Sequence, residues 1–222
     1  MDQPRASRPY MPGYGIVGPT QGSGLLPWSW AEERLTASRN YRVASSWPDG
    51  RPHAMPVWGI WHDGALWFSS SRQSRKARNL AADPRCVVTT ENAVEPVVIE
   101  GAAEVVTDPQ ALTRMLALEN AKYQTDYSME LLDPAVNATI RVQPRWAFGL
   151  AEGDFTGSPT RWIFGISIAI YGLVALVAAL MLVGIPLLGV GVIDWVVLAS
   201  LAAAKASQGQ AYRYPLTLRF VR

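Results

Sequence analysis

His53-Ala-Met-Pro-Val-Trp-Gly-Ile-Trp-His-Asp-Gly-Ala-Leu-Trp-Phe-Ser-Ser70 decides the fold of this chain. Two runs rich in Trp, Val, Ile and Phe meet at His62-Asp-Gly64. An Asp-Gly pair between such runs is a strong signal for an antiparallel hairpin. His53 to Trp61 therefore reads as one strand and Ala65 to Ser70 as the next. Upstream, Tyr41 to Ser46 reads as a further strand, joined through the turn Pro48-Asp-Gly50. Pro56 cannot donate to a ladder, so its strand belongs at an edge or a bulge.

The pattern continues outward. Ser74 to Ala82 has helical composition and stops before Pro84. Cys86 to Thr90 and Val97 to Val106 read as strands, the second interrupted at Gly101. Asp108 to Gln124 predicts a helix, with Asp108 as cap and Pro109 in the first position. Leu112, Met115, Leu116 and Glu119 follow its spacing. Ala138 to Val142 and Trp146 to Ala151 suggest a last strand broken at Pro144. Trp28 to Leu35 predicts a short helix, with Ser29 and Glu32 placed as in a capping box. Residues 1–25, rich in Pro and Gly, read as a disordered leader. The pattern sums to about six strands and two or three short helices, which favours a small closed or split barrel.

Charge divides the chain. Up to Thr160 there are 15 Lys/Arg against 17 Asp/Glu; from Arg161 onward there are 5 Lys/Arg against 1 Asp. The basic excess lies beside an uncharged stretch, Trp162 to Ile193, where anionic lipid headgroups would attract it. A slightly acidic soluble part argues against nucleic acid as a partner. Cys86 is the sole cysteine, which fits a reducing compartment. The N-terminal residues show no apolar signal-peptide core, so the soluble part is expected in the cytoplasm.

The uncharged stretch exceeds the roughly 20 residues that span a bilayer. Gly184-Ile-Pro186 interrupts it. Phe164 to Val183 and Leu187 to Ala204 therefore read as a transmembrane helical hairpin. Arg161 before it, and Lys205, Arg213, Arg219 and Arg222 after it, place both ends in the cytoplasm. Asp194 has two readings. As an intramembrane carboxylate it costs about 2.5–3.5 kcal/mol and marks a functional site. Otherwise it caps a shorter helix, Trp195 to Ala206.

Familiar catalytic signatures are absent: no HExxH, GxSxG, P-loop or Rossmann glycine pattern, and no metal constellation. The chemistry-bearing stretch is Ser69-Ser-Ser-Arg-Gln-Ser-Arg-Lys-Ala-Arg78. A strand ending in serines runs into a helix that starts with cations. Free N–H groups at a helix start, serine hydroxyls and Arg or Lys together can cradle a phosphate. The plainer reading is a capped helix with solvated basic residues. Around Met55 to Trp58 the backbone of the edge strand could face a ligand, or the strand is an irregular edge that buries its tryptophans.

Trp47-Pro-Asp-Gly-Arg-Pro-His-Ala-Met-Pro-Val-Trp-Gly-Ile-Trp61, Gly64-Ala-Leu-Trp-Phe-Ser-Ser70 and Ser74-Arg-Lys-Ala-Arg-Asn-Leu80 resemble the pyridoxamine-5′-phosphate-oxidase-like split-barrel family. More narrowly, they resemble its flavin/deazaflavin-dependent oxidoreductases that use coenzyme F-420. Leu26-Pro-Trp-Ser-Trp-Ala-Glu-Glu-Arg-Leu35 and Val98-Ile-Glu-Gly-Ala-Ala-Glu104 extend the likeness. The resemblance implies a homodimer with cofactor sites at the subunit interface. It implies that Ser69, Ser70, Ser74, Arg75 and Lys76 hold the phosphate of FMN or coenzyme F-420. It implies that Met55, Pro56, Val57 and Trp58 lie along the ring system. The chain departs from the family in the turn Ser70-Ser-Arg-Gln-Ser74, which lacks a glycine, and in continuing past Trp162.

The tail resembles something else. Ile170-Tyr-Gly-Leu-Val174, Gly191-Val-Ile-Asp194 and Ala203-Ala-Lys-Ala-Ser-Gln-Gly-Gln-Ala-Tyr-Arg-Tyr-Pro-Leu216 resemble the C-terminal half of a small bacterial membrane domain related to the chloroplast import-channel family.

The expectation is thus a mainly β protein: a six-stranded antiparallel split β-barrel with short helices over residues 26–160, then a transmembrane helical hairpin with a basic tail over residues 161–222. It would sit at the cell membrane against lipid and pass a hydride to a small or lipophilic acceptor, with no catalytic side chain assigned. The other reading, from a different class, is a non-catalytic cofactor-binding or membrane interaction protein.

Overall fold

A computed structural model describes residues 3–165 and 192–209. The chain divides into two units, Met1–Gly165 and Ile166–Arg222. In the first unit the strands are β1 (Arg5–Ser7), β2 (Asn40–Ser46), β3 (Pro52–Trp58), β4 (Ile60–His62), β5 (Ala65–Ser71), β6 (Arg85–Thr90), β7 (Val97–Val106), β8 (Asn137–Gly149) and β9 (Thr160–Ile163). The helices are α1 (Trp28–Ala37), α2 (Arg75–Ala82) and α3 (Pro109–Tyr123). Neighbouring strands run in the order β1-β9-β8-β7-β6-β2-β3, and β5 joins β8 and β4. Every pairing is antiparallel. The mainly β, antiparallel expectation holds.

Both turns form as the sequence predicts. In the β4–β5 hairpin His62 pairs with Ala65. Asp63 and Gly64 both take positive φ, 52° and 68°. That is the type I′ geometry, whose twist matches the strands it joins. The β2–β3 hairpin closes around the Pro48-Asp-Gly50 turn, with Trp47 N–H donating to the Arg51 carbonyl at 2.8 Å. As Pro56 requires, β3 lies at the end of the strand order.

Nine strands, rather than six, form the sheet among the described residues. One extra strand arises at Gly59, where the expected run His53 to Trp61 divides. Gly59 N–H donates to the Tyr123 hydroxyl at 2.8 Å, and its carbonyl accepts from Lys122 Nζ at 2.8 Å. Its backbone groups thus serve α3 instead of the ladder. A Cβ at Gly59 would lie 3.0 Å from the Trp67 carbonyl oxygen and 3.2 Å from Tyr41, so only glycine fits without displacement.

The expected break at Pro144 closes up instead. β8 is one continuous strand that changes partner: Ala138–Val142 pair with β5, and Trp146–Gly149 pair with β9. Pro144 sits at the changeover, where its missing N–H leaves no ladder bond unmade on that side. It faces Gly101 on β7 across a bulge. A Cβ on Gly101 would collide with the Gln143 carbonyl.

The leader and the end of the domain are corrected together. Arg5–Ser7, expected to be disordered, pair with Arg161–Ile163. Arg8 donates to the carbonyls of Pro159 at 2.6 Å and Gly18 at 3.0 Å. Asp154 accepts from Ser23 N–H at 2.6 Å, and Thr160 Oγ1 from Leu26 N–H at 2.8 Å. These backbone and charged bonds hold a segment with few apolar residues, and β9 carries the barrel unit past Thr160 to Gly165. α1 also starts differently. Pro27 occupies the cap position without a side-chain bond, and the Ser29–Glu32 capping box does not form.

β5 lies between two apolar clusters. Leu66 and Phe68 join Tyr41, Val43, Val88, Ile99, Ile140 and Trp162 in the main core. Ala65 and Trp67 join Ile60, Leu112, Met115, Tyr123 and Leu132 under α3. Alternate side chains of a strand point to opposite faces, which produces this division. Burying each large side chain contributes roughly 1.5–3 kcal/mol. Cys86 is buried in the main core, where desolvation pushes its thiol up to about 12, a packing residue rather than a nucleophile.

In the second unit residues 192–207 are helical. Asp194 is exposed within that helix instead of capping one that starts at Trp195. Most of the transmembrane hairpin expected over Phe164–Val183 and Leu187–Ala204 lies outside the described residues. Among the described residues no helix is long and apolar enough to cross a membrane.

Candidate functional site

The end of β5 and the start of α2 form one wall of an open groove. The strand finishes in Ser69, Ser70 and Ser71, and Ser74 caps the helix by accepting from Ala77 N–H at 3.2 Å. Ser70 Oγ donates to Ser74 Oγ at 3.0 Å. The capping hydroxyl is therefore committed to the helix start, and Ser70 is held beside it.

The opposite wall is the end of β3. Trp58 lies flat on Tyr123 of α3, with ring centroids 4.3 Å apart and planes 8° from parallel. Tyr123 is itself fixed. Its hydroxyl donates to the Arg39 carbonyl at 2.5 Å and accepts from Gly59 N–H. Lys122 Nζ, one residue earlier, donates to the carbonyls of Ser38 at 2.6 Å and Gly59. Desolvation lowers its pKa from the usual lysine value to about 8. The C-terminal turn of α3 thereby clamps the β3–β4 junction and sets the angle of Trp58, whose side chain remains partly open to solvent.

Between the walls lies a cavity of about 340 Å³ lined by Pro56, Val57, Trp58, Ser69, Ser70, Ser71, Lys76, Glu119, Leu131 and Asn137. The structure therefore brings together Pro56, Val57, Trp58, Ser69, Ser70 and Lys76 from the residues that the sequence singles out. Met55, Ser74 and Arg75 are not among the lining residues. Met55 is exposed. Arg75 stacks over the Trp47 ring at 3.7 Å, the same ring that Arg51 covers at 4.5 Å.

Two lining groups are buried without a hydrogen-bond partner among the described residues: Ser69 Oγ and Glu119 Oε2. Buried polar atoms are nearly always paired, so an orphan calls for an explanation. Ser69 was legible from its serine run. Glu119, Asn137 and Leu131 were not singled out as site residues; for Glu119 the available signal was a carboxylate on the core-facing register of α3. Burial raises the Glu119 pKa above the usual carboxylate value. Lys76 is the one cation lining the groove, and among the described residues no ion pair engages it. A serine-lined end with an unpaired cation suits an anionic group, and an aromatic plate beside it suits a flat ring.

A family model described as pyridoxamine 5′-phosphate oxidase matches residues 31–150. The chain belongs to that family. The groove lies within the matched span, as do all the residues that line it. A second model, the magnetosome magnetite crystal formation protein family, matches residues 160–221, so the tail carries a likeness of its own. Among solved structures, the pyridoxamine 5′-phosphate oxidase domain is similar to a conserved hypothetical protein from Mycobacterium tuberculosis, 28% identical, covering 55% of this chain and 82% of that one, with a TM-score of 0.49. An F-420 reductase is 25% identical over 51% of this chain and 91% of that one, with a TM-score of 0.43. General stress protein 26 from Bacillus anthracis is 19% identical over 54% and 92%, with a TM-score of 0.44. No curated protein matches the chain.

Proposed function

We propose that this protein is a membrane-attached oxidoreductase whose barrel binds FMN or coenzyme F-420 in the groove between β3 and β5. The observation that carries the reading is the buried, unpartnered Ser69 Oγ in a groove that also holds Lys76 and the exposed face of Trp58. An orphaned hydroxyl beside an unpaired cation fits a phosphate, and the indole face fits a tricyclic ring.

The cofactor, when bound, supplies the hydride chemistry. The chain's residues bind and orient. Lys76 meets the phosphate charge, with Ser69 as a hydroxyl donor to it and Ser70, whose O–H goes to Ser74, lining the same end. Trp58, braced by Tyr123, sets the plane of the ring. Pro56 and Val57 present an apolar edge that excludes water from it. A second copy of the chain would complete the open side of the groove, as the family resemblance implies. A small or lipophilic acceptor would enter there.

Attachment to the cell membrane is supported by the uncharged stretch Trp162 to Ile193 and by its cationic flanks. In the tail unit, the helix 192–207 adds Val192, Ile193, Trp195, Val196, Val197 and Leu201, all exposed. The barrel and the C-terminal tail would then both face the cytoplasm.

The test is an absorbance and mass spectrum of detergent-extracted protein, followed by titration with FMN and coenzyme F-420. Lys76→Ala should weaken binding of either cofactor while the melting temperature holds. An unchanged affinity would remove the cradle. Binding without hydride exchange with any donor would leave a cofactor-binding module instead of an enzyme.

A further inference from the structure

Helix α3 buries Leu112, Met115, Glu119 and Tyr123 along one face. The first two pack in the cluster beneath the helix, and Tyr123 both packs there and bonds to Gly59. Glu119 is the exception. Its residue is only 6% exposed, and Oε2 has no partner among the described residues. Lys76 shares the groove but forms no ion pair with it. Leucine would suit this position better for folding alone, because a buried polar atom without a bond is destabilising. The acid therefore stands ready for a group that arrives from the groove.

We propose that Glu119 reads the ring of the bound cofactor, pairing its hydroxyl and carbonyl oxygens with an adjacent C=O and N–H on the ring's imide edge. This rests on the cofactor reading above. A protonated carboxyl offers one donor and one acceptor side by side. An imide edge offers the complementary acceptor and donor, so two hydrogen bonds form in one plane. Desolvation raises the Glu119 pKa, which favours the protonated form that this pairing needs. FMN and the deazaflavin both carry that edge. Glu119 thus selects for the class of ring, not between the two cofactors. A site built to hydrogen-bond a ligand N–H discriminates strongly against an analogue that lacks it.

The probes are FMN, 5-deaza-FMN and their N3-methyl forms, in which the imide N–H is blocked. They are titrated by fluorescence into the detergent-solubilised full chain. The wild-type protein should bind the unmethylated rings at least about tenfold more tightly than the methylated ones. Glu119→Gln, which keeps a donor and an acceptor, should preserve that preference. Glu119→Leu should weaken binding of the unmethylated rings by about tenfold and abolish the preference. A melting curve shows that each variant is folded, and Glu119→Met replaces the leucine variant if that one is not. Undiminished preference in the apolar variant overturns the role of Glu119 while leaving the cofactor reading intact. No binding of either unmethylated ring or of coenzyme F-420 to the wild-type protein overturns both.

Discussion

The indole of Trp58 rests face to face on the phenol of Tyr123, and the Tyr123 hydroxyl bonds to the backbone of Gly59, just past that indole, and of Arg39, just before the neighbouring strand β2. Tyr123 thus helps set the break in the sheet at Gly59, with Lys122, and also orients a groove wall. Tyr123→Phe keeps the stacked ring but leaves the Gly59 N–H without its acceptor. A buried donor left unpaired costs about 1–3 kcal/mol. Chemical denaturation of the variant should show a loss in that range, with ring binding reduced less than in Tyr123→Leu, which removes the plate as well.

Gly101 faces the backbone of β8 at the bulge, where a methyl group would meet the Gln143 carbonyl and a Val142 methyl. Backbone cannot yield as a flexible side chain does. Gly101→Ala should destabilise the barrel by about 1–3 kcal/mol, read as a lowered melting temperature. Gly153→Ala, where added atoms meet open space, is the control.

Ser74 and Lys76 separate the helix from the ligand. Removing the Ser74 hydroxyl deletes the α2 cap and should cost about 1 kcal/mol in a denaturant titration. Lys76→Ala touches no hydrogen bond of the fold and should change stability by less than about 0.5 kcal/mol. Its effect belongs instead to phosphate affinity, measured with FMN against riboflavin. Loss of preference for the phosphorylated form is the expected outcome.

Glu119 also makes a pH prediction. In the unfolded chain its carboxyl titrates near 4.5, whereas burial raises the folded value above that. Between the two values the native state binds more protons than the unfolded state. Stability conferred by this group is therefore complete below about pH 4.5 and falls as pH rises through the folded value. Subtracting the Glu119→Gln denaturation curve from the wild-type curve at each pH isolates that slope. A flat difference would mean that the side chain is solvated.

The residues that announced the fold were those whose geometry is local. Asp63-Gly64 permits little but a tight hairpin, and Asp108-Pro109 fixes the start of α3. Gly101 was legible as an interruption because glycine inside a strand leaves the pleat without a side chain. Distant partners were not legible. Arg5–Ser7 find theirs at Arg161–Ile163, and nothing near the leader encodes it. Gly59 ends β3 because two side chains of α3 take its backbone groups. At the site, the serine run and Lys76 were readable as neighbours, and one groove does bring Ser69, Ser70 and Lys76 together. Arg75 does not line that groove and stacks on Trp47, a contact that the local sequence does not encode. Glu119 is not legible as a site residue from sequence, because a glutamate on a helix ordinarily faces water.

β5 contributes Leu66 and Phe68 to one apolar cluster and Ala65 and Trp67 to the other. Neither cluster can melt without tearing out a shared strand. Heat or denaturant should therefore undo the barrel and the α3 layer in a single cooperative step, with tryptophan emission and far-ultraviolet dichroism changing together. The three serines that finish the same strand lose their positions in that step, so the groove they line and the global fold share one midpoint.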